Sequence, residues 1–208
     1  MSTPRRQAPS RPTGRAIFLR RALTDQATIG AIAPTSTTLA TRQAALIPAT
    51  AGLRVLELGA GTGAISAAIR PRLGPRAVHV ALERDPTLLA AVAGAAPQAL
   101  RVVGDAAELT AHLAGAGLDE VDVIVSSLPW SNFDPDFARR VLSKVCSALA
   151  PSGVFTTIAY RPSRLNPGSR RFRRLLDASF TEVVPTATTW ASLPPARLLI
   201  CRGPRVRR

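Results

Sequence analysis

A chain of 208 residues, of which 46% are hydrophobic, is long enough to bury one good core, and we expect a single globular domain. Its two cysteines are too few for a disulfide framework and indicate the reducing cytosol. No apolar run reaches the roughly 18 residues of a membrane span, and the arginine-rich start lacks a signal-peptide pattern. We therefore expect a protein that is not integral to a membrane, although it could lie on one.

The net charge of +14 is carried by clusters of arginine. Between residues 54 and 150, basic residues are slightly outnumbered by acidic ones, whereas acid-free clusters lie at residues 5–21, 161–174 and 202–208. Arginine suits bidentate contacts with phosphate, and a high-GC genome would raise its content without clustering it. The clusters therefore favour a phosphate-bearing partner, either an anionic membrane surface or a nucleic acid.

The N-terminal part of the chain is predicted to form two segments. Residues 1–14, rich in Pro, Ser, Thr and Arg, are predicted to be a disordered basic arm. Residues 15–50 are predicted to be a helical cap that binds membranes, because "RAIFLRRALTD" places Phe18, Leu19 and Leu23 on one helical face.

Residues 51–208 have the pattern of an α/β domain. The short apolar runs "LRVLEL", "VHVALE", "LRVVGDA", "VDVIVSS" and "GVFTTIA" alternate with alanine-rich helical stretches. Such a pattern predicts a mostly parallel sheet with helices on both faces. The runs "TEVVPTATTW" and "ARLLICR" are joined only by "ASLPP", which is too short for a crossover helix. An antiparallel C-terminal hairpin is therefore expected to complete a seven-stranded, Rossmann-like sheet.

A glycine-rich loop follows the first strand in "VLELGAGTGAISAAI". Gly59, Gly61 and Gly63 form G-x-G-x-G, whereas pyrophosphate binding prefers G-x-G-x-x-G. Glycines at this place let the backbone approach a ligand closely, and the following helix begins there. The alternative is a tight turn from strand to helix with no ligand.

Three acidic residues are predicted beside successive strand ends. Glu83 ends the second strand, where its carboxylate can accept both hydroxyls of a ribose. Asp105 ends the third strand, where it is placed to meet an adenine amino group. Glu57 can accept from the loop amides or from an ammonium. Three acids without a basic phosphate partner suit a cationic nucleoside, and S-adenosylmethionine is such a ligand.

The set "ELGAGTG", "ALERD" and "GDA" resembles the class I S-adenosylmethionine-dependent methyltransferases over about residues 53–202. A nicotinamide-dependent enzyme is the alternative, and the glycine spacing disfavours it. No metal is expected, because the histidines and cysteines show no metal-ligand spacing. The resemblance implies a cofactor site formed by Glu57, Gly59, Ala60, Gly61, Gly63, Glu83, Arg84, Asp105, Ala106 and Ser126.

The segment "SSLPWSNF" after the fourth strand is similar to the Asn-Pro-Pro-Tyr and Asn-Leu-Pro-Tyr loops of methyltransferases that act on nitrogen. By that resemblance Ser127 and Leu128 supply hydrogen-bond acceptors for the target nitrogen, and Trp130 supplies an aromatic face. Serine stands where those loops have asparagine. The alternative is a strand-ending turn with Trp130 in the core.

A narrower resemblance joins "FLRRALTDQATIGAIAPTSTTLA", "TTIAYRP" and "TTWASLPPARLLICR" to this loop. These segments are similar to the bacterial soluble-type phospholipid N-methyltransferases, which convert phosphatidylethanolamine towards phosphatidylcholine. The resemblance implies a phospholipid substrate at an anionic membrane surface, peripheral association with the inner face of the cell membrane, and Tyr160 as a catalytic residue that positions the amine. We expect a monomer.

Tyr160 and Trp190 are predicted to end the fifth and sixth strands, on the same edge as Trp130. No strong general base is identifiable, so proximity and alignment would carry most of the acceleration. Methylation of a small hydrophobic amine or natural product, or of rRNA adenine at N6, remains an alternative. Nucleic acid is less favoured because the nine aromatic residues are sparse for stacking bases. A non-enzymatic membrane-binding module is a more distant alternative.

Overall fold

A computed structural model describes residues 35–161 and 166–205 of the chain. Its strands are β1 (Arg54–Leu58), β2 (Val78–Glu83), β3 (Leu100–Val103), β4 (Val121–Ser126), β5 (Leu149–Tyr160), β6 (Phe180–Pro185) and β7 (Ala196–Pro204). Its helices are α1 (Thr37–Ala44), α2 (Ala64–Ile69), α3 (Pro86–Ala95), α4 (Leu109–Gly115), α5 (Pro135–Ala148) and α6 (Pro167–Ser179). Short 3₁₀ turns lie at Arg70–Arg72, Ala106–Glu108 and Trp130–Asn132.

The strands form one sheet in the order β3-β2-β1-β4-β5-β7-β6. The pairs from β3 to β5 are parallel, and β7 runs antiparallel to both β5 and β6. The predicted seven-stranded sheet with its antiparallel C-terminal hairpin is therefore confirmed. The predicted arm at 1–14, and residues 15–34 of the predicted helical cap, lie outside the described residues.

Two predicted strand ends are wrong. Trp190 does not end the sixth strand, because β6 ends at Pro185 and only Thr189 pairs again, in an isolated bridge with Ala196. Asp105 does not end the third strand, because β3 ends at Val103. Asp105 instead begins the next 3₁₀ turn, where its side chain accepts a hydrogen bond from the Ala107 amide at 2.9 Å. Both residues still lie at the carboxyl edge of the sheet.

Helices cover both faces of the sheet, as the continuous apolar strands predict. Leu56 and Leu58 of β1 pack with residues of α4, α5 and α6, whereas Val55 packs with residues of α1 and α2. The helix α3 lies on the same face as α1 and α2, because Leu89 clusters with Ala81 of β2. Within the described part of the chain, no helix is both long and apolar enough to cross a membrane.

Several helices begin at a side chain that caps them and a proline that follows it. Asp85, Asp134 and Asn166 each accept hydrogen bonds from backbone amides of the first turn, and a proline comes next in the sequence. Such caps satisfy amides that have no partner within the helix, and proline suits the first helical position. They fix where α3, α5 and α6 begin at the carboxyl edge of the sheet.

Candidate active site

Two cavities lie side by side at the carboxyl edge of the sheet. The first, of about 150 Å³, is the glycine-loop cavity, which is bordered by Gly59, Gly61 and Glu83. The second, of about 310 Å³, is the Tyr160 cavity. Residues 127–129 line both of them. The two cavities are therefore adjacent at the single loop that follows β4.

Glu83 organises the glycine-loop cavity from the end of β2. Its Oε2 accepts a hydrogen bond from the Gly61 amide at 3.0 Å, and its Oε1 accepts from the amides of Arg84 and Asp85 at 2.8 and 3.1 Å. Hydrogen bonds to a charged acceptor are among the stronger ones in proteins. The half-buried carboxylate is therefore held in one orientation at the mouth of the cavity.

Gly59 allows the loops after β1 and β4 to approach each other. It has φ +78°, which side chains rarely adopt, and a Cβ there would lie 3.0 Å from Leu128 Cδ2. The Ser127 hydroxyl also donates to the Gly59 carbonyl at 2.5 Å. The narrow wall between the two cavities therefore requires glycine at this position.

Six of the predicted cofactor residues line the glycine-loop cavity: Gly59, Gly61, Glu83, Arg84, Asp105 and Ala106. Its apolar walls come from Leu88, Phe133 and Phe137, which sequence reasoning did not assign. Phe133 stands inside the segment "SSLPWSNF", so its position beside a predicted site was a usable signal. Carboxylates at the rim and aromatic walls suit a cationic nucleoside with a flat base.

Four predicted cofactor residues, namely Glu57, Ala60, Gly63 and Ser126, do not line this cavity in the structure. Glu57 is fully buried, where its Oε2 accepts from the Ser66 hydroxyl at 2.6 Å and lies 3.0 Å from His79 Nε2. The alternation of β1 turns this side chain towards α2, below the glycine loop. Glu57 therefore hydrogen-bonds with side chains in the core rather than with the amides of the glycine loop.

Trp130 is more deeply buried than the predicted open aromatic face. Its ring is 4% exposed and stacks on Phe172 with 4.7 Å between ring centroids. The indole Nε1 donates to the Ser126 hydroxyl at 3.0 Å, so Ser126 is engaged in the core and does not line the glycine-loop cavity. The ring still borders the Tyr160 cavity, but its packing is that of a core residue that fixes the loop after β4. The face of the Trp130 ring that the sequence analysis expects to be open is covered by the stacked ring of Phe172.

The other predicted catalytic residues, Ser127, Leu128 and Tyr160, meet in the Tyr160 cavity. The Ser127 hydroxyl donates its hydrogen bond to the Gly59 carbonyl, so the lone pairs of its oxygen can still accept hydrogen bonds. The Leu128 carbonyl accepts from the Trp130 amide at 2.9 Å and retains a second lone pair. Burial raises the pKa of Tyr160 above its ordinary value, so the side chain stays a neutral phenol.

The arginines in this cavity were not predicted as site residues. Arg170 and Arg173 of α6 and Arg197 of β7 line it together with Tyr160. Arg173 is already engaged, because it donates to the Asp177 carboxylate and to the Val183 carbonyl. The cavity therefore combines hydrogen-bond acceptors at one wall with guanidinium groups at another.

Contacts between residues far apart in the sequence hold α1 and α6 against the strands and the loop that form the Tyr160 cavity. Gln43 of α1 is fully buried, and its Nε2 donates to the carbonyls of Ser126 and Thr156 at 3.2 and 3.5 Å. On the opposite face a Cβ at Gly168 would collide with the Ser131 carbonyl oxygen, so α6 can begin this close to residue 131 only with glycine there. Neither contact has a local sequence signal.

Comparisons with known proteins agree with this geometry. Residues 55–153 match a family model described as a methyltransferase domain. The ornithine lipid N-methyltransferase of Singulisphaera acidiphila is 32% identical over 190 residues, which are 90% of this chain and 95% of that protein. The chain belongs to the class I S-adenosylmethionine-dependent methyltransferases.

Two solved structures show the same fold. An O-methyltransferase of Thermotoga maritima has a TM-score of 0.62 at 15% identity, covering 90% of this chain and 73% of that one. Fibrillarin of Aeropyrum pernix with natively bound S-adenosyl-L-methionine has a TM-score of 0.56 at 16% identity, covering 79% of this chain and 73% of that one.

The methyltransferase uses S-adenosylmethionine as its cofactor. The carboxylates and phenylalanine rings that line the glycine-loop cavity have the chemistry that such a cationic nucleoside requires. The Glu83 and Asp105 carboxylates would hold its ribose and base, with Phe133 and Phe137 as apolar walls. Within residues 35–161 and 166–205, no three His, Cys, Asp or Glu side chains are grouped so that they could hold a metal ion.

Proposed function

We propose that this methyltransferase transfers methyl groups to the amine of a lipid head group. The preferred acceptor is phosphatidylethanolamine and then its mono- and dimethyl derivatives, towards phosphatidylcholine, at an anionic membrane surface on the cytoplasmic side. The observation that carries the proposal is the wall of residues 127–129, which borders both cavities. The lipid substrate of the relative from Singulisphaera acidiphila supports the same class of acceptor.

The chain's own groups would prepare the amine for transfer. S-adenosylmethionine, when bound, supplies an activated methyl group on a sulfonium. The Ser127 hydroxyl oxygen and the Leu128 carbonyl would accept hydrogen bonds from the amine and aim its nitrogen lone pair past residues 127–129 towards the glycine-loop cavity. The nitrogen would gain the methyl group as the sulfonium loses it, and the methylated ammonium would then release a proton to water. Partial desolvation in the Tyr160 cavity would favour the neutral amine, because burial disfavours the charged form.

Tyr160 would act as a positioning group rather than as a base. Burial raises the pKa of its phenol, so a phenolate is disfavoured at neutral pH. Its hydroxyl can accept one hydrogen bond and donate another, which suits an amine that loses hydrogens with each methylation. Alignment would then supply most of the rate acceleration, because no strong base lines the described cavity.

The arginines of the Tyr160 cavity would hold the anionic part of the head group. Arg170 and Arg197 border the same cavity as Ser127, and phosphatidylethanolamine carries its phosphate only a few bonds from its amine. Within the described residues, Arg170 forms no ion pair with an acidic side chain. A guanidinium presents a fork that matches phosphate oxygens, so these residues favour a zwitterionic lipid over a plain amine.

The test is to incubate the full chain with methyl-labelled S-adenosylmethionine and separate pools of phosphatidylethanolamine vesicles, ornithine lipid vesicles and total RNA. We expect label in phosphatidylethanolamine and its methylated products on thin-layer separation. Label in ornithine lipid alone would keep a lipid amine as acceptor but overturn the preferred lipid. Label in RNA alone would overturn the lipid substrate.

A variant ties this activity to the proposed wall. Ser127→Ala removes an amine acceptor but leaves the backbone of residues 127–129, so lipid methylation should fall about tenfold while cofactor affinity stays within a few-fold. Ser147→Ala is the matched control, because its exposed hydroxyl only bonds the Ser143 carbonyl within α5. Equal turnover in both variants would remove Ser127 from the amine site.

A further inference from the structure

The loop between β6 and β7, residues 186–195, presents two large apolar side chains to solvent. Trp190 is 71% exposed and Leu193 is 82% exposed. We call residues 186–195 the Trp190 loop. Thr189 and Ser192, which alternate with the exposed pair, are each 4% exposed. The loop therefore turns its polar side chains inward and its apolar side chains outward, the reverse of an ordinary surface loop.

This loop is fastened to the body of the protein. The Thr189 amide donates to the Ala196 carbonyl at 2.6 Å, and the Arg161 amide donates to the Pro195 carbonyl at 2.8 Å. Arg42 of α1 donates to the Thr189 hydroxyl at 2.9 Å. The exposure of Trp190 and Leu193 is thus held by contacts with β5, β7 and α1.

The surroundings of the loop are basic. The Arg161 guanidinium lies 5.6 Å from the centroid of the Trp190 ring, and Arg42 contacts the base of the loop. Among the described residues, the segments that contact the loop or continue from it, residues 35–47, 156–161 and 183–205, contain no Asp or Glu. A surface of apolar side chains ringed by cations matches an anionic lipid surface, where tryptophan favours the interface and arginine the head groups.

The loop also lies beside the Tyr160 cavity. Ala196, which follows the loop, pairs with Tyr160 across β5 and β7, and the next residue, Arg197, lines the cavity. An apolar anchor at this place would bring the cavity against the head groups from which its substrate comes.

We propose that the Trp190 loop inserts Trp190 and Leu193 into the interface of an anionic phospholipid bilayer. This inference deepens the proposed function, on which it rests for its purpose, by naming the surface that holds the membrane. The loop inserts at the level of the head groups, with Arg161 and Arg42 contacting lipid phosphates. It acts in addition to any binding by the N-terminal segment.

Tryptophan fluorescence tests the insertion directly. The chain has two tryptophans, and Trp130 is 4% exposed in the core, so lipid-borne quenchers should reach Trp190 alone. The full chain is mixed with vesicles of phosphatidylcholine and phosphatidylglycerol that carry bromine near the head group or deep in the acyl chains. We expect stronger quenching by the shallow label, and loss of quenching in Trp190→Phe. Absence of quenching, its persistence in Trp190→Phe, or protection of Trp190 by total RNA and not by vesicles would overturn the proposal.

A paired set of variants tests the energetic contribution. Trp190→Ala combined with Leu193→Ser should weaken vesicle binding at least tenfold, about 1.4 kcal/mol, in a sedimentation assay. Leu100→Ser combined with Val103→Ser is the matched control, because these side chains are 46% and 54% exposed on β3, at the other edge of the sheet. Equal vesicle binding by both double variants would overturn the proposal.

Cofactor affinity, measured by calorimetry, should stay within about twofold in both double variants, which establishes that the fold is intact. The two proposals fail separately in these experiments. Quenching by bromolipids without methylation of any lipid pool would overturn the proposed function and leave the membrane anchor standing. Lipid methylation without quenching would overturn the membrane anchor and leave the proposed function standing.

Discussion

The two halves of the sheet's carboxyl edge are built in different ways. Around β1 to β3, the site is acidic: Glu83 accepts hydrogen bonds from the Gly61 and Arg84 amides, and Asp105 accepts one within its own turn. Around β5 and β7, the lining side chains include Arg170 and Arg197 and come from elements far apart in the chain. The acidic half is fixed by contacts that are mostly local, whereas the basic half depends on how α1 and α6 close over it. Variants in the two halves should therefore fail in different ways.

The largest expected effect is in the basic half, where packing decides the structure. Trp130→Ala leaves a hole beside Phe133, Phe155 and Phe172, and should lower the free energy of unfolding by about 3–5 kcal/mol. Denaturant unfolding measures it. Trp190→Ala is the control and should change the free energy of unfolding by no more than about 0.5 kcal/mol, because its ring is 71% exposed. If Trp130→Ala instead kept normal stability and lost activity, the result would favour the predicted contact of the Trp130 ring with the substrate amine.

The next largest effect is expected in the acidic half, on the affinity for S-adenosylmethionine. Glu83→Ala removes an acceptor of three loop amides and the proposed acceptor for the ribose, so the affinity for S-adenosylmethionine should fall tenfold to a hundredfold. A hydrogen bond to a charged group contributes about 1.5–3 kcal/mol, which corresponds to that range. Calorimetric titration measures it beside Asp119→Ala, an exposed acidic control. Unchanged affinity in Glu83→Ala would refute the placement of the cofactor.

Tyr160→Phe tests whether the basic half positions the amine or deprotonates it. Removing the hydroxyl should lower turnover at least tenfold, about 1.4 kcal/mol of transition-state stabilisation, while cofactor affinity is unchanged. Burial raises the pKa of Tyr160 above the ordinary value of about 10, so the phenol is neutral throughout the range below that pH. The pH–rate profile in this range should therefore keep its shape in the variant. A basic limb that disappears with the hydroxyl would identify Tyr160 as a base.

The smallest effect concerns Arg170 at the rim of the Tyr160 cavity. Arg170→Gln should raise KM for the lipid by about two- to fivefold and leave KM for S-adenosylmethionine unchanged, because exposed ionic contacts contribute less than about 1 kcal/mol. Added salt should narrow the difference from the natural chain, since it screens exposed charges. Arg101→Gln, exposed on β3, should change neither constant. An equal rise in both KM values of Arg170→Gln would contradict the assignment of the lipid to the basic half and of S-adenosylmethionine to the acidic half.

The same division explains how much could be predicted from the sequence. The parallel sheet, the antiparallel hairpin and the positions of Gly59 and Glu83 follow from patterns within a few residues of each other, and all are present in the structure. Strand alternation could also have placed Glu57 correctly, because it puts this residue on the same face as Val55, towards α2. The family resemblance instead assigns Glu57 to the cofactor site, because this residue stands inside the motif "ELGAGTG".

The rest depends on tertiary contacts that no short pattern encodes. Trp130 is buried because Phe172 of α6 stacks on it, and α6 lies there only because Gly168 permits close approach to the Ser131 carbonyl. Gln43 reaches the end of β4 and the middle of β5 across more than eighty positions of sequence. Trp190 lies in a loop because β6 ends early, at Pro185.

The shared wall at residues 127–129 has a thermodynamic consequence. Because the same three residues border both cavities, a shift in this loop on filling one cavity changes the shape of the other. Linkage then requires reciprocity: the factor by which S-adenosylmethionine changes the affinity for the acceptor equals the factor by which the acceptor changes the affinity for S-adenosylmethionine. The demethylated cofactor, which lacks the positive charge, would carry a different factor. The loop after β4 would thereby couple the binding affinities of the two products.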